Sequence, residues 1–248
     1  PVERVKYYEK GLVLKETDAK AALKELQEFA EQTLKCQNMP VREKKILFVG
    51  EEISFASRYR VEHFREQLHY QGYGSDFYQV DEVEDLDWDA YRAVVCYRCS
   101  REDVVRKVVE QAKKTGLNVY YDIDDLIFDY ERISYLHFLT GSEYKDFKKT
   151  TEQIHSCMEL CDGYFTSTDT LGEEIRREFP GKPVVINRNC ASMEMQILSH
   201  DAVEQVEKDS EHISIGYFSG SKTHDQDFEV VEEALLEVMK EHPEVRLK

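Results

Sequence analysis

Basic charge is what this chain has least of. Against 50 aspartates and glutamates stand only 33 lysines and arginines, a formal net charge of −17. Nucleic acid as an electrostatic ligand is disfavoured, because phosphate binding draws on clustered Lys and Arg that release counterions. A polybasic grip on anionic lipid is disfavoured for the same reason. Long apolar runs are missing too: none approaches the roughly eighteen residues that a membrane span needs, and Pro1-Val2-Glu3-Arg4 does not open a signal peptide. Cysteine is sparse and scattered, six in 248 residues, which argues against a disulfide framework and fits a reducing compartment. These absences lead to the expectation of a soluble, intracellular, cytoplasmic protein.

What is present is enough to fold. With 41% hydrophobic residues over this length, the chain has material for one large domain or two small ones. Cys96-Tyr97-Arg98-Cys99 has C-x-x-C spacing, and Cys157 and Cys161 lie one helical turn apart, as a four-thiolate zinc site would need. The stronger expectation is plainer. Cys96 ends the apolar run Ala93-Val94-Val95, and all four behave as small buried hydrophobes.

The apolar periodicity alternates between two kinds. A helical stripe over 17–36 (Leu23, Leu26, Phe29, Ala30, Leu34) stops before Pro40 and predicts an appended helix. From Lys45 onward, strands are expected at 46–49, 77–80, 91–97, 117–121, 164–166 and 183–186. Between them fall helices ending at Gly72, at Gly116, near Cys161 and before Pro180, with capping boxes expected at Ser100–Asp103 and Thr170–Glu173. A further strand from Ile213 and a helix opened by a Thr223/Gln226 box follow. Such alternation predicts an α/β fold, a Rossmann-like open parallel sheet with helices on both faces. Ligands of these sheets bind beyond the carboxyl ends of the strands, which here are 51–60, 97–100, 122–130, 166–170, 187–192 and 219–224.

Three of those segments carry chemistry. Asp122-Ile123-Asp124-Asp125 places three mutually repelling carboxylates at a strand end, which calls for a cation, a basic partner or a proton equilibrium. Ser57-Arg58-Tyr59-Arg60 sets two arginines against the dipole at a helix start, and Arg98 follows the third strand, so an anionic ligand or the Asp cluster is their expected partner. Ser219-Gly220-Ser221-Lys222-Thr223 is a small-residue turn from strand to helix, of the kind that receives phosphate, though it is not a P-loop.

In order along the chain, Arg58-Tyr59-Arg60-Val61, Val119 to Phe128, Ser167-Thr168-Asp169-Thr170-Leu171, Val185 to Asn189, and Ile215 to Ser221 with His224 and Asp227-Phe228 resemble bacterial glycosyltransferases of the GT-B architecture, group 1 (family 4). The resemblance covers 45–248. It implies a helical extension at 1–42, a Rossmann-like acceptor-side domain at 43–205, and the start of a nucleotide-sugar-binding domain at 206–248 whose remainder is expected beyond Lys248. A fragment of this kind is expected to lack transfer activity on its own.

The activity implied is retaining, metal-independent transfer of a sugar from a nucleoside diphosphate sugar to a glycan or lipid-linked acceptor, as in polysaccharide biosynthesis, with no cofactor. Asp124 and Asp125 would orient or deprotonate the acceptor hydroxyl. Arg58, Tyr59, Arg60, Arg98 and Asp122 would hold the acceptor, and Ser219, Gly220, Ser221, Lys222 and His224 the donor diphosphate. Two patterns depart from that family: Glu51-Glu52-Ile53 stands in place of a Gly-rich turn, and the Asp cluster in place of a histidine. A non-catalytic carbohydrate- or nucleotide-binding module, and a metal-dependent transferase using Asp122 and Asp124, stay open beside it, as does peripheral membrane contact.

Overall fold

Short runs rich in β-branched and aromatic residues pair side by side into one sheet. The computed structural model describes residues 45–51, 54–133, 141–206, 209, 211–218 and 225–248. The strands are β1 (Lys45–Gly50), β2 (Ser75–Gln79), β3 (Tyr91–Tyr97), β4 (Asn118–Ile123), β5 (Gly163–Thr166) and β6 (Val184–Ile186). All neighbouring pairs are parallel, in the order β2-β1-β3-β4-β5-β6. The chain runs outward from β1 to β2 and then returns past β1 to β3, so the topological switch point lies between β1 and β3, where Gly50 pairs with Tyr97.

The helices cover both faces. On one side are α1 (Phe55–Ser57), a π-helical turn over Arg58–Glu62, and α2 (His63–Tyr70). There Phe48, Val61, Val95 and Tyr97 form a small core with Phe64 and Phe165, whose rings meet edge to face at 5.4 Å. On the other side lie α3 (Glu102–Lys114), a short α4 (Tyr130–Ile133), α5 (Ser142–Leu160) and α6 (Asp169–Glu178). The valines of α3, with Ile154, Met158 and Ile175, close over Leu47, Val94, Tyr121 and Ile123 to make the larger core. Helices on opposite faces are what right-handed crossovers require when the strand order reverses.

Two turns follow the sequence closely. Gly72 and Gly116 end their helices with φ of 78° and 72°, a conformation that favours glycine. Two expected caps are corrected. Helix α3 starts from Arg101 with no side-chain cap, and α6 is capped by Thr168, whose hydroxyl accepts from the Leu171 N–H at 3.2 Å, not from Thr170.

Beyond β6 runs α7 (Met193–Gln205), which the sequence pattern did not predict; its apolar residues are spread around the helix and only Ile197 is buried. A separate parallel pair, β7 (Ile213–Ile215) and β8 (Val245–Leu247), is joined by α8 (Asp225–Glu241). The appended helix at 1–42 and the Thr223 cap lie outside the described residues.

The cysteines sit as expected of hydrophobes. Cys96, Cys99, Cys157 and Cys161 are buried together in the larger core. Bonds from a neighbouring thiol pull Cys96 and Cys99 down, but all four thiols stay raised, with burial pushing Cys157 up to about 12. Among the described residues no group of three or more His, Cys, Asp or Glu side chains is arranged to hold a metal ion.

Candidate functional site

The π-helical turn is the first piece of local geometry that builds the carboxyl edge. By widening one turn it lets both Arg60 and Val61 face the sheet. Arg60 then meets Asp122 in β4 through a fork, Nε donating to Oδ1 and Nη2 to Oδ2, each at 2.8 Å. Its Nη1 donates to the Asn187 carbonyl and, at 3.0 Å, to Asn189 Oδ1. Both charged groups are fully buried. Burial pushes the Asp122 carboxyl up to about 6, with Arg60 pulling the other way. Of the two partners expected for Arg60, an anionic ligand or the Asp cluster, it meets the second, and the pair ties the π-helical turn to the segment after β6.

Helix α2 continues that attachment. His63 Nδ1 meets the Cys190 carbonyl at 2.9 Å, and the Met193 N–H donates to Glu66 at 3.2 Å.

Arg98 organises the open part of the edge. It has φ of 45°, the one positive φ at a non-glycine among the described residues, and its N–H donates to the Asp122 carbonyl at 3.1 Å. That conformation brings its Nε within 2.7 Å of Asp124 Oδ1, while Nη2 also meets Asp125. Burial raises the Asp124 pKa and Arg98 holds it down, so the two effects oppose each other. The Asp125 side chain is 58% exposed against 10% for Asp124, so Asp125 is the carboxylate that solvent and a ligand can reach.

One hydroxyl reaches this cluster. Ser167 Oγ donates to the Asp124 carbonyl at 3.4 Å. The buried hydroxyls of Tyr97 and Thr166 have no partner among the described residues. Burial, with Asp124 and Asp122 adding to it, lifts the Tyr97 pKa well above the ordinary phenol value.

Arg58 and Tyr59 are not part of the cluster. Arg58 is exposed and joins a groove of about 630 Å³ that runs along α2 past Glu62, His63, Glu66 and His69 toward Lys45 and Asp76. Tyr59 packs edge to face on His63 at 5.0 Å. The structure thus brings together Arg60, Asp122, Arg98, Asp124 and Asp125. It does not add Arg58 or Tyr59 to them. Ser219, Gly220, Ser221, Lys222 and His224 lie outside the described residues. Of that segment's surroundings, Tyr217 packs on Phe228 of α8 with ring centroids 4.9 Å apart.

Sequence reasoning missed the role of Glu51. Its carboxylate crosses the switch point and accepts from the N–H and hydroxyl of Ser100 and the N–H of Arg101. The local signal was an acidic residue directly after β1; its partners are about fifty places away and could not be seen from the pattern.

Chemically, the edge offers one exposed carboxylate oriented by an arginine. No family model matches the chain, and no curated protein matches it.

Proposed function

We propose that this chain belongs to a GT-B glycosyltransferase and supplies its acceptor side, in an enzyme that moves a sugar from a nucleoside diphosphate sugar to a glycan or lipid-linked hydroxyl with retention and without a catalytic metal. The observation that carries this reading is the Arg98–Asp124–Asp125 cluster at the carboxyl edge of a parallel sheet, where ligands of such sheets bind. Asp125 is the exposed member, so it receives the acceptor hydroxyl; Asp124, held by Arg98, keeps that arginine oriented. Arg58 offers an exposed guanidinium on the groove beside α2 for an anionic part of the acceptor. The 219–224 segment receives the donor diphosphate in this scheme, with Lys222 countering charge on the leaving group.

One observation favours a second reading, a carbohydrate-binding module without turnover: both carboxylates of the cluster are already engaged by Arg98. Transfer of label from a panel of radiolabelled nucleoside diphosphate sugars to glycan and lipid-linked acceptors, by the full-length protein, separates the two. Transfer lost on Asp125→Asn supports the enzyme. Acceptor binding with no transfer from any donor in the panel supports the module.

A further inference from the structure

At the switch point of an open parallel sheet a crevice usually receives the ligand, yet here it receives a side chain of the protein itself. Glu51 leaves the end of β1, and its Oε1 accepts from the N–H groups of Ser100 and of Arg101, the latter at 2.7 Å. Its Oε2 accepts from the Ser100 hydroxyl at 2.9 Å. These groups stand just before the first turn of α3, whose N-cap residue, Arg101, supplies no side-chain bond, so the Glu51 carboxylate anchors the chain that leads into the helix.

Arg98 lies two residues before Ser100. An arginine leaves the left-handed region unless its neighbours hold it there. On one side the Arg98 N–H is fixed by the Asp122 carbonyl at 3.1 Å. On the other, the chain is fixed by Glu51. We propose that Glu51 is the positioning residue of the carboxyl edge: by anchoring Ser100 and Arg101 it keeps Arg98 left-handed, with the guanidinium set between Asp124 and Asp125. This role rests on the assignment of that cluster as the functional site, and it makes the β1 end a support for the site in place of a phosphate loop.

The charged and titratable groups facing Asp124 are Arg98, Asp125, Arg60, Asp122 and Tyr97. Withdrawing Arg98 removes the nearest cation and raises the Asp124 midpoint. The test is a carbon-13 carboxyl NMR titration of the whole chain, with the Asp124 signal assigned by Asp124→Asn. Glu51→Ala is expected to raise the midpoint by about one pH unit or more, as Arg98→Ala does. Glu51→Met, which fills the space but accepts no strong hydrogen bond, gives the same answer if the alanine variant does not fold. Glu51→Gln restores the wild-type midpoint, because its Oε1 still accepts both N–H groups and its amide donates to the Ser100 hydroxyl.

An Asp124 midpoint unmoved by Glu51→Ala and Glu51→Met, while Arg98→Ala moves it, overturns the positioning role. A midpoint as high in Glu51→Gln as in Glu51→Met does the same. If Arg98→Ala also leaves the midpoint in place, the pairing of Arg98 with Asp124 is what fails, and with it the site assignment beneath the proposal.

Discussion

Arg60 and Asp122, 62 residues apart in sequence, share a two-point fork with both contacts at 2.8 Å and neither side chain exposed to solvent. The pair joins the π-helical turn to the centre of the sheet, and through Asn187 and Asn189 to the segment that leads away from β6. Its energetics follow from two opposing quantities. Removing both ions from water costs several kcal/mol each, and their attraction offsets this only when every remaining donor and acceptor is satisfied.

Breaking one side of the pair is therefore expected to cost more than removing both. Arg60→Met leaves a buried carboxyl without its cation and should lower stability by about 3–5 kcal/mol. The double variant Arg60→Met/Asp122→Leu should recover most of that loss. Urea unfolding of the three proteins measures it, and a double variant no better than the single one would contradict the account.

The same pair has a pH signature. In the folded chain Asp122 titrates near 6 against an ordinary value of 3.8. A raised carboxyl pKa means the folded state holds its proton more tightly, so this contribution is fully present below about pH 4 and is lost as the pH rises through about 6. Asparagine does not ionise and has nothing to lose. Asp122→Asn should thus gain on the wild type between about pH 4 and pH 7, by on the order of 2 kcal/mol. A difference that stays flat across that range would mean Arg60 keeps Asp122 ionised throughout.

At the open edge, Asp124 and Asp125 should separate in their effects on stability and activity. Asp125→Asn changes an exposed group and should leave the unfolding free energy within about 0.5 kcal/mol. In a sugar-transfer assay of the full-length protein, if the proposed activity holds, it should lower kcat by about a hundredfold or more, the range for a lost positioned base. Asp124→Asn, by contrast, weakens the hold on Arg98 and should lower the thermal midpoint as well. Full turnover in Asp125→Asn would move the catalytic role elsewhere.

Arg98 allows a test of backbone strain separate from charge. With φ at 45°, alanine in its place keeps the strained conformation and loses the ion pairs, whereas glycine loses the ion pairs but adopts that φ freely. Arg98→Gly should be more stable than Arg98→Ala by about 1 kcal/mol. Equal stabilities would indicate that the backbone relaxes once the side chain is gone.

Thiol labelling distinguishes a core role from a reactive one. Cys96, Cys99, Cys157 and Cys161 are buried with raised pKa values, while Cys190 is exposed. Brief alkylation of the native chain, read by peptide mass spectrometry, should modify Cys190 and leave those four untouched until urea is added.

Much of the sheet was legible in the sequence because each strand carries its own signal. β3 begins and ends where the apolar run Tyr91 to Tyr97 does, and Gly72 and Gly116 stop their helices through a backbone property that no neighbour has to supply. The site was legible only as a set of segments. That Arg60 and not Arg58 turns toward Asp122 depends on a widened helical turn, and the sequence Arg58-Tyr59-Arg60 reads alike in either geometry. Ser100 was expected to cap α3 by a local pattern, but its hydroxyl and the N–H groups of Ser100 and Arg101 bond to Glu51, just after β1. Where a partner lies fifty or more residues away, only the assembled sheet reveals it.

The widened turn over Arg58–Glu62 sets a rule for how this chain tolerates changes in length. A π-helical turn holds one residue more than the α-helix around it, so deleting Tyr59 would restore a regular helix without breaking it. Because the bulge takes up its extra residue within that one turn, the flanking turns would keep their facing, and the change would fall on Arg60 and Val61, the two buried residues of the turn. Ser54 and Ser57, which cap each other at the start of α1, would keep that reciprocal bond. Elsewhere on a helix the loss of one residue changes the aim of everything beyond it; here it would leave the helix regular and withdraw the fork that Arg60 makes with Asp122.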